Sequence, residues 1–136
     1  MGQQQLLLIV LGVIIVGIAI VVGINLFNAN AISSNRDAII SDLNNLGAQA
    51  QQYYQKPTSM GGGGGAFDAT NGATAAWAIP STLVTTANAG YALTSGAQSI
   101  TLVGTSTTQK KGTDGSTAVK VTAVVTPGNI AITINN

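Results

Sequence analysis

A chain of 136 residues has room for one modest domain, and this one carries five Lys or Arg and four Asp, for a formal net charge of +1. So few cations argue against a nucleic-acid binder, and a hydrophobic content of 46% argues against a disordered tail. His and Cys are absent, which removes the imidazole base, the thiolate nucleophile, the usual zinc and iron–sulfur ligands, covalent haem attachment and disulfides. No cofactor and no metal site is expected.

The chain opens on a short polar cap, Met1 to Gln5, in which Gln3, Gln4 and Gln5 can hydrogen-bond laterally or stay solvated at a membrane edge. Leu6 to Ile24 follows, 19 residues without one polar side chain. Its apolar members include Leu6, Leu7, Leu8, Ile9, Val10, Leu11, Val13, Ile14, Ile15, Val16, Ile18, Ile20, Val21, Val22 and Ile24. As a helix the run would be about 28 Å long, close to the hydrocarbon thickness of a bilayer. It is apolar all round, unlike a core helix of a small soluble head, and longer than the apolar stretch of a secretory signal. Gly12, Gly17 and Gly23 interrupt it at a cost of about 1 kcal/mol each relative to Ala. Close approach of neighbouring helices, or local loosening of this one, would offset that cost.

Helical periodicity resumes beyond Asn25, Asn28 and Asn30. Ile32, Ile39, Ile40, Leu43, Leu46 and Ala50 recur at spacings of three, four and seven, which predicts an amphipathic helix over 33–54 that stops before Lys56-Pro57. No proline precedes Pro57, so the two halves read as one rod of about 50 residues, roughly 75–80 Å long. The front half of such a rod cannot be covered by an 82-residue head spanning 55–136. Lipid, other copies of the chain, or each in turn must cover it.

Gly61 to Gly65 lacks the lysine of a phosphate-binding loop and reads as a flexible surface loop. It would turn the chain toward Phe67 and the segment Trp77-Ala78-Ile79-Pro80, a hydrophobic plug for the helix. From Ser81 the period becomes two. Strands are predicted at 83–86, 91–94, 99–103, 118–126 and 129–134, with turns at Thr113-Asp114-Gly115-Ser116 and Pro127-Gly128-Asn129. Val119, Val121, Ala123 and Val125 should share one face of their strand, and Ile130, Ile132 and Ile134 one face of the next. The outer face should be rich in Thr, Ser, Asn and Gln, with Lys110 and Lys111 at a solvated tip. The expected fold class is α+β, a long N-terminal helix bearing an antiparallel head of four to five strands. The divisions fall at 1–28 (apolar half-helix), 29–56 (amphipathic half-helix), 57–80 (Gly-rich loop) and 81–136 (β head). Asp37 and Asp42 lie five apart on the helix while Asp68 and Asp114 lie in loops, so no acid–base pair is evident and the chain reads as a non-enzyme. Tyr53 and Tyr54 read as packing residues.

The polar start, the long apolar run, the amphipathic continuation, the Gly-rich loop and the small β head together resemble the type IV pilin and pseudopilin superfamily. The likeness covers residues 1–57 by pattern and the head by type. It implies a structural subunit whose apolar half-helix is anchored in inner-membrane lipid and then packs into the core of a helical homopolymer at the cell surface. Assembly machinery and a leader peptidase are the implied partners. The chain departs from the family at Gln5, where a Glu is usual, at Val22, where a helix-breaking Pro is common, and in having no disulfide. No basic side chain precedes Arg36. The expectation is therefore a mature chain whose basic leader preceded Met1, or one cleaved after Gly2 to leave Gln3 first. A pseudopilin of a secretion machine and a non-polymerising, single-span anchored module are the alternative readings.

Overall fold

The computed structural model describes residues 2–108, 111–112 and 114–135. One helix, α1 (Gly2–Gln55), runs unbroken for 54 residues. It is followed by single 3-10 turns at Thr58–Met60 and Ala69–Asn71 and by four strands: β1 (Ala89–Ser95), β2 (Ile100–Ser106), β3 (Lys120–Thr126) and β4 (Asn129–Ile134). The strands form one antiparallel sheet in chain order, β1-β2-β3-β4. The architecture is α+β: a long N-terminal helix with a four-stranded antiparallel head.

The head packs on the C-terminal half of α1 because only that half is amphipathic. Ile39, Leu43, Leu46, Gly47 and Ala50 are its buried residues, and they recur at helical spacing along one face. The sheet supplies the other layer through Ile100 and Leu102 of β2 and Val121, Ala123 and Val125 of β3, all with no exposed surface. Val119, just ahead of β3, is equally buried. α1 therefore lies mainly over β2 and β3 and meets β4 only along its margin. Ile130 and Ile132 are partly buried against this core, and Ile134 is half-exposed. Phe67 and Trp77 close the bottom of the core, as the plug reading requires.

At Gly104 the sheet packs tightly against the helix. A Cβ there would sit 2.6 Å from Ile39 Cγ2 and 2.9 Å from the Tyr91 ring. The outer face carries cross-strand rows such as Ala92–Val103–Thr122–Thr133 and Thr94–Thr101–Val124–Ala131. It is Thr-rich, with aliphatic side chains interspersed. The β3–β4 turn is a two-residue hairpin at Pro127-Gly128, closed by the Thr126–Asn129 pair.

Three readings of the chain need correction. The segment 83–86 is not a strand of the sheet: it makes a turn and one isolated bridge, Thr85 to Gly90. It is too short and too close to β1 to build a ladder. The turn centred on Asp114 does not close a tight hairpin, because β2 ends at Ser106 and β3 begins at Lys120. Asp114 instead folds the connecting loop on itself, accepting from Ser116 N at 3.0 Å, Thr117 N at 3.0 Å and Thr117 Oγ1 at 2.6 Å, with Gly115 at φ +73°. Lys110 and Thr113 lie outside the described residues, and Lys111 is exposed.

The third correction is the glycine run, which is not a free loop. Its amides cap the end of α1: Gly63 N–H donates to the Tyr53 carbonyl at 2.8 Å, Gly65 N–H to Tyr54 at 2.9 Å and Gly64 N–H to Lys56 at 3.0 Å. The Tyr53 and Tyr54 carbonyls are among those that a helix end leaves without intrahelical partners, and Lys56 follows directly. Gly62 and Gly63 are buried. A Cβ would meet the Lys56 carbonyl oxygen at 2.2 Å from Gly62 and the Ala66 oxygen at 1.8 Å from Gly63. Gly61, Gly64 and Gly65 have φ of +77°, +58° and +92°, a region that side chains disfavour. From outside, Asn71 Nδ2 donates to the Gly64 carbonyl and Gln98 Nε2 to the Gly65 carbonyl, each at 3.1 Å. The run is an ordered clasp between rod and head.

Candidate functional site: an exposed apolar rod

No buried residue of α1 precedes Ile39, so the front half of the helix projects from the head without covering. Every apolar side chain named above from Leu6 to Ile24 is more than half exposed, the least being Leu11 at 51%. Leu26 and Phe27 extend the run, and Phe27, at 80%, is the most exposed large apolar residue among those described. Both fall inside the 1–28 half-helix but beyond the apolar run expected to form a filament core, which ends at Ile24. An aromatic ring three residues beyond Ile24 was the available signal for them, interrupted only by Asn25.

This exposure is far outside what a soluble monomer tolerates, since patches above a few hundred Å² mark interaction sites. Burying a Val, Leu or Ile side chain contributes about 1.5–3 kcal/mol, so covering this segment would release on the order of tens of kcal/mol. The helix is long and apolar enough to cross a membrane, and none of its most apolar stretch is buried by the rest of the chain. Its backbone suits that environment, because a helix satisfies its own N–H and C=O groups.

Gly12, Gly17 and Gly23 all lie within the projecting half, and a Cβ at each would meet nothing within 4 Å. Nothing among the described residues requires glycine at these positions. Gly2, Gln3 and Gln5 are exposed in the first turns of α1, and Gln3 with Leu6, Leu7 and Val10 lines a shallow groove there. Met1 lies outside the described residues.

Polar side chains near the rod and head act on structure. Asp42 Oδ2 accepts from the Tyr91 hydroxyl at 2.6 Å, which ties α1 to β1. Burial, and then this bond, push the Tyr91 hydroxyl well above its ordinary range. Asp68 caps the second 3-10 turn, accepting from Thr70 N at 3.0 Å and from the Thr70 hydroxyl; these bonds hold its carboxyl below the usual range. Asp114 is held lower still, first by the Thr117 hydroxyl and then by the Ser116 and Thr117 amides. Asp37 is exposed on α1. Tyr54 stacks at a tilt on Phe67, centroid to centroid 4.9 Å, and Tyr53 donates to the Ala75 carbonyl, so both are packing residues.

Fold and site together define an α+β chain with a β head on a rod whose apolar front half is bare and span-capable. No protein-family model, no curated protein and no solved structure matches the chain.

Proposed function

We propose that this chain is the major structural subunit of an extracellular helical filament of the type IV pilus kind. Its apolar half-helix waits in inner-membrane lipid and then packs against the same segment of neighbouring copies. The observation that carries this reading is the run of more than half-exposed aliphatic side chains from Leu6 to Ile24 on an unbroken helix whose far half packs against a folded head. Lipid and sibling rods both cover that surface, so transfer between them keeps its apolar burial nearly constant. A neutral Gln5 suits a dry filament interior better than an unpaired carboxylate would. An outer sheet face whose one charge is Lys120 avoids like-charge repulsion between packed copies.

Two experiments test it. Electron microscopy of sheared cell-surface material should show long fibres made of this chain; short assemblies confined to the envelope would instead indicate a secretion-machine subunit. Deleting residues 1–28 leaves every core residue in place. The product should be a soluble, monomeric head that forms no fibres. Fibres from that truncated chain would overturn the proposed role of the rod.

A further inference from the structure

The sheet has two unlike edges. On the β1 side the segment 84–86 covers the first half of the edge: Tyr91 N–H donates to the Val84 carbonyl at 2.8 Å and Thr86 N–H to the Ala89 carbonyl at 2.9 Å. The β4 side is open. Asn135 N–H donates to the Lys120 carbonyl at 3.0 Å, which makes Lys120–Asn135 a hydrogen-bonded pair. Such pairs alternate along an antiparallel ladder, so Thr122–Thr133, Val124–Ala131 and Thr126–Asn129 are the others. The N–H and C=O groups of Ile130, Ile132 and Ile134 therefore point away from the sheet, and no described residue bonds to them. Natural edges are shielded by charge, proline or a bulge. β4 contains neither a charge nor a proline, and Ile134 is half-exposed at its end.

We infer that β4 pairs antiparallel with β4 of a second copy about a two-fold axis through Ile132, and that this contact joins neighbouring filaments. The inter-filament part rests on the function proposed above. The strand is self-complementary in register. Centring on Ile132 sets Ile132 opposite its own copy and Ile130 opposite Ile134, so every outward N–H and C=O meets an outward partner. The three isoleucines of each copy then share one face as a continuous stripe. Charge agrees with this occupant, since Val121 to Asn135 carries none and two copies approach without repulsion.

Geometry decides which two copies can meet. A two-fold axis normal to the sheet reverses α1, so the paired rods run in opposite directions. Subunits of one polar helical fibre all point the same way, and neighbours in one membrane do too. The partners therefore belong to two antiparallel fibres. One such contact is a strip about 20 Å long and one strand wide, well below the roughly 800 Å² per partner of a stable complex. A single pair of heads stays weakly associated, and repetition along two fibres supplies the avidity.

The chain has no cysteine, which makes the test direct. Full-length Ile132→Cys is oxidised, or treated with a short bis-maleimide, in fibres and as concentrated detergent-solubilised chain. Paired Cα atoms at that position would lie about 5.5 Å apart, within disulfide reach. Ile130→Cys would lie about 13 Å from its own copy, so dimer yield from Ile132→Cys should exceed it by about tenfold. In parallel, Ile134→Lys should leave fibres single in electron micrographs, whereas Thr94→Lys, which adds the same charge at the opposite end of the sheet, should leave them bundled. Fibres without a residue-132 dimer, or Ile134→Lys fibres that bundle normally, overturn the pairing and leave the filament reading intact. A residue-132 dimer from a chain that never forms fibres sustains the pairing and overturns the filament reading, with the inter-fibre role.

Discussion

Replacing Gly63 by Ala tests whether the glycine run is a clasp or a tether. The added methyl would lie 1.8 Å from the Ala66 carbonyl oxygen and 2.7 Å from the Tyr53 ring. Backbone on one side and an aromatic on the other leave nothing flexible to yield, so the main chain must move by about an ångström. That movement breaks the bonds from Gly63 and Gly65 to the carbonyls of Tyr53 and Tyr54. Each stranded carbonyl costs about 1–3 kcal/mol, for a total near 3 kcal/mol. For a head of this size the midpoint of thermal unfolding should fall by roughly 10 °C or more. Trp77, the one tryptophan, reports it by fluorescence because it is buried and its backbone N–H donates to the Phe67 carbonyl at 2.9 Å, which ties it to the segment after the clasp. Gly61→Ala is the control: φ is +77° and the surrounding space is open, so it should cost about 1 kcal/mol. If the two variants unfold at the same temperature, the run is a tether and the clasp is wrong.

Gly104→Ala should destabilise the head by about 1–3 kcal/mol, since the new methyl meets the β-branched Ile39 and the Tyr91 ring; an unchanged melting curve would refute the close contact. Tyr91 should ionise only well above pH 10 when titrated by ultraviolet absorbance. Its folded-state value is raised, so the stability it contributes is complete below pH 10 and is lost as pH rises beyond; Tyr91→Phe should abolish that alkaline loss. Asp114 has a depressed folded-state value, so its contribution is present above the ordinary carboxylate range and is lost only in stronger acid; carboxyl NMR should show this, with Thr117→Val moving the titration back toward normal. Gly17→Ala and Gly23→Ala meet no neighbour within the subunit. They should leave head unfolding unchanged and lower fibre yield, and an unaltered yield would refute both uses suggested for these glycines.

The rod was legible in the chain because its cause is local. An apolar run without proline, followed by isoleucines and leucines at spacings of three, four and seven, is helical whatever it touches, and Gly2–Gln55 is one helix. Period-two alternation likewise marked β3 and β4, whose bounds fall within two residues of those expected. The apolar segment as candidate surface was also readable, since no head of this size could cover a rod so long. What the chain alone could not decide depended on contacts between distant residues. Five glycines in a row are locally floppy; they become rigid only where helix-end carbonyls, Asn71 and Gln98 converge on them. Residues 83–86 have the composition of a strand, but the chain turns into β1 only a few residues later, so they add one bridge instead of a ladder. Hydrophobic period sets which way a side chain faces, and only the tertiary packing sets which backbone groups are left without a partner.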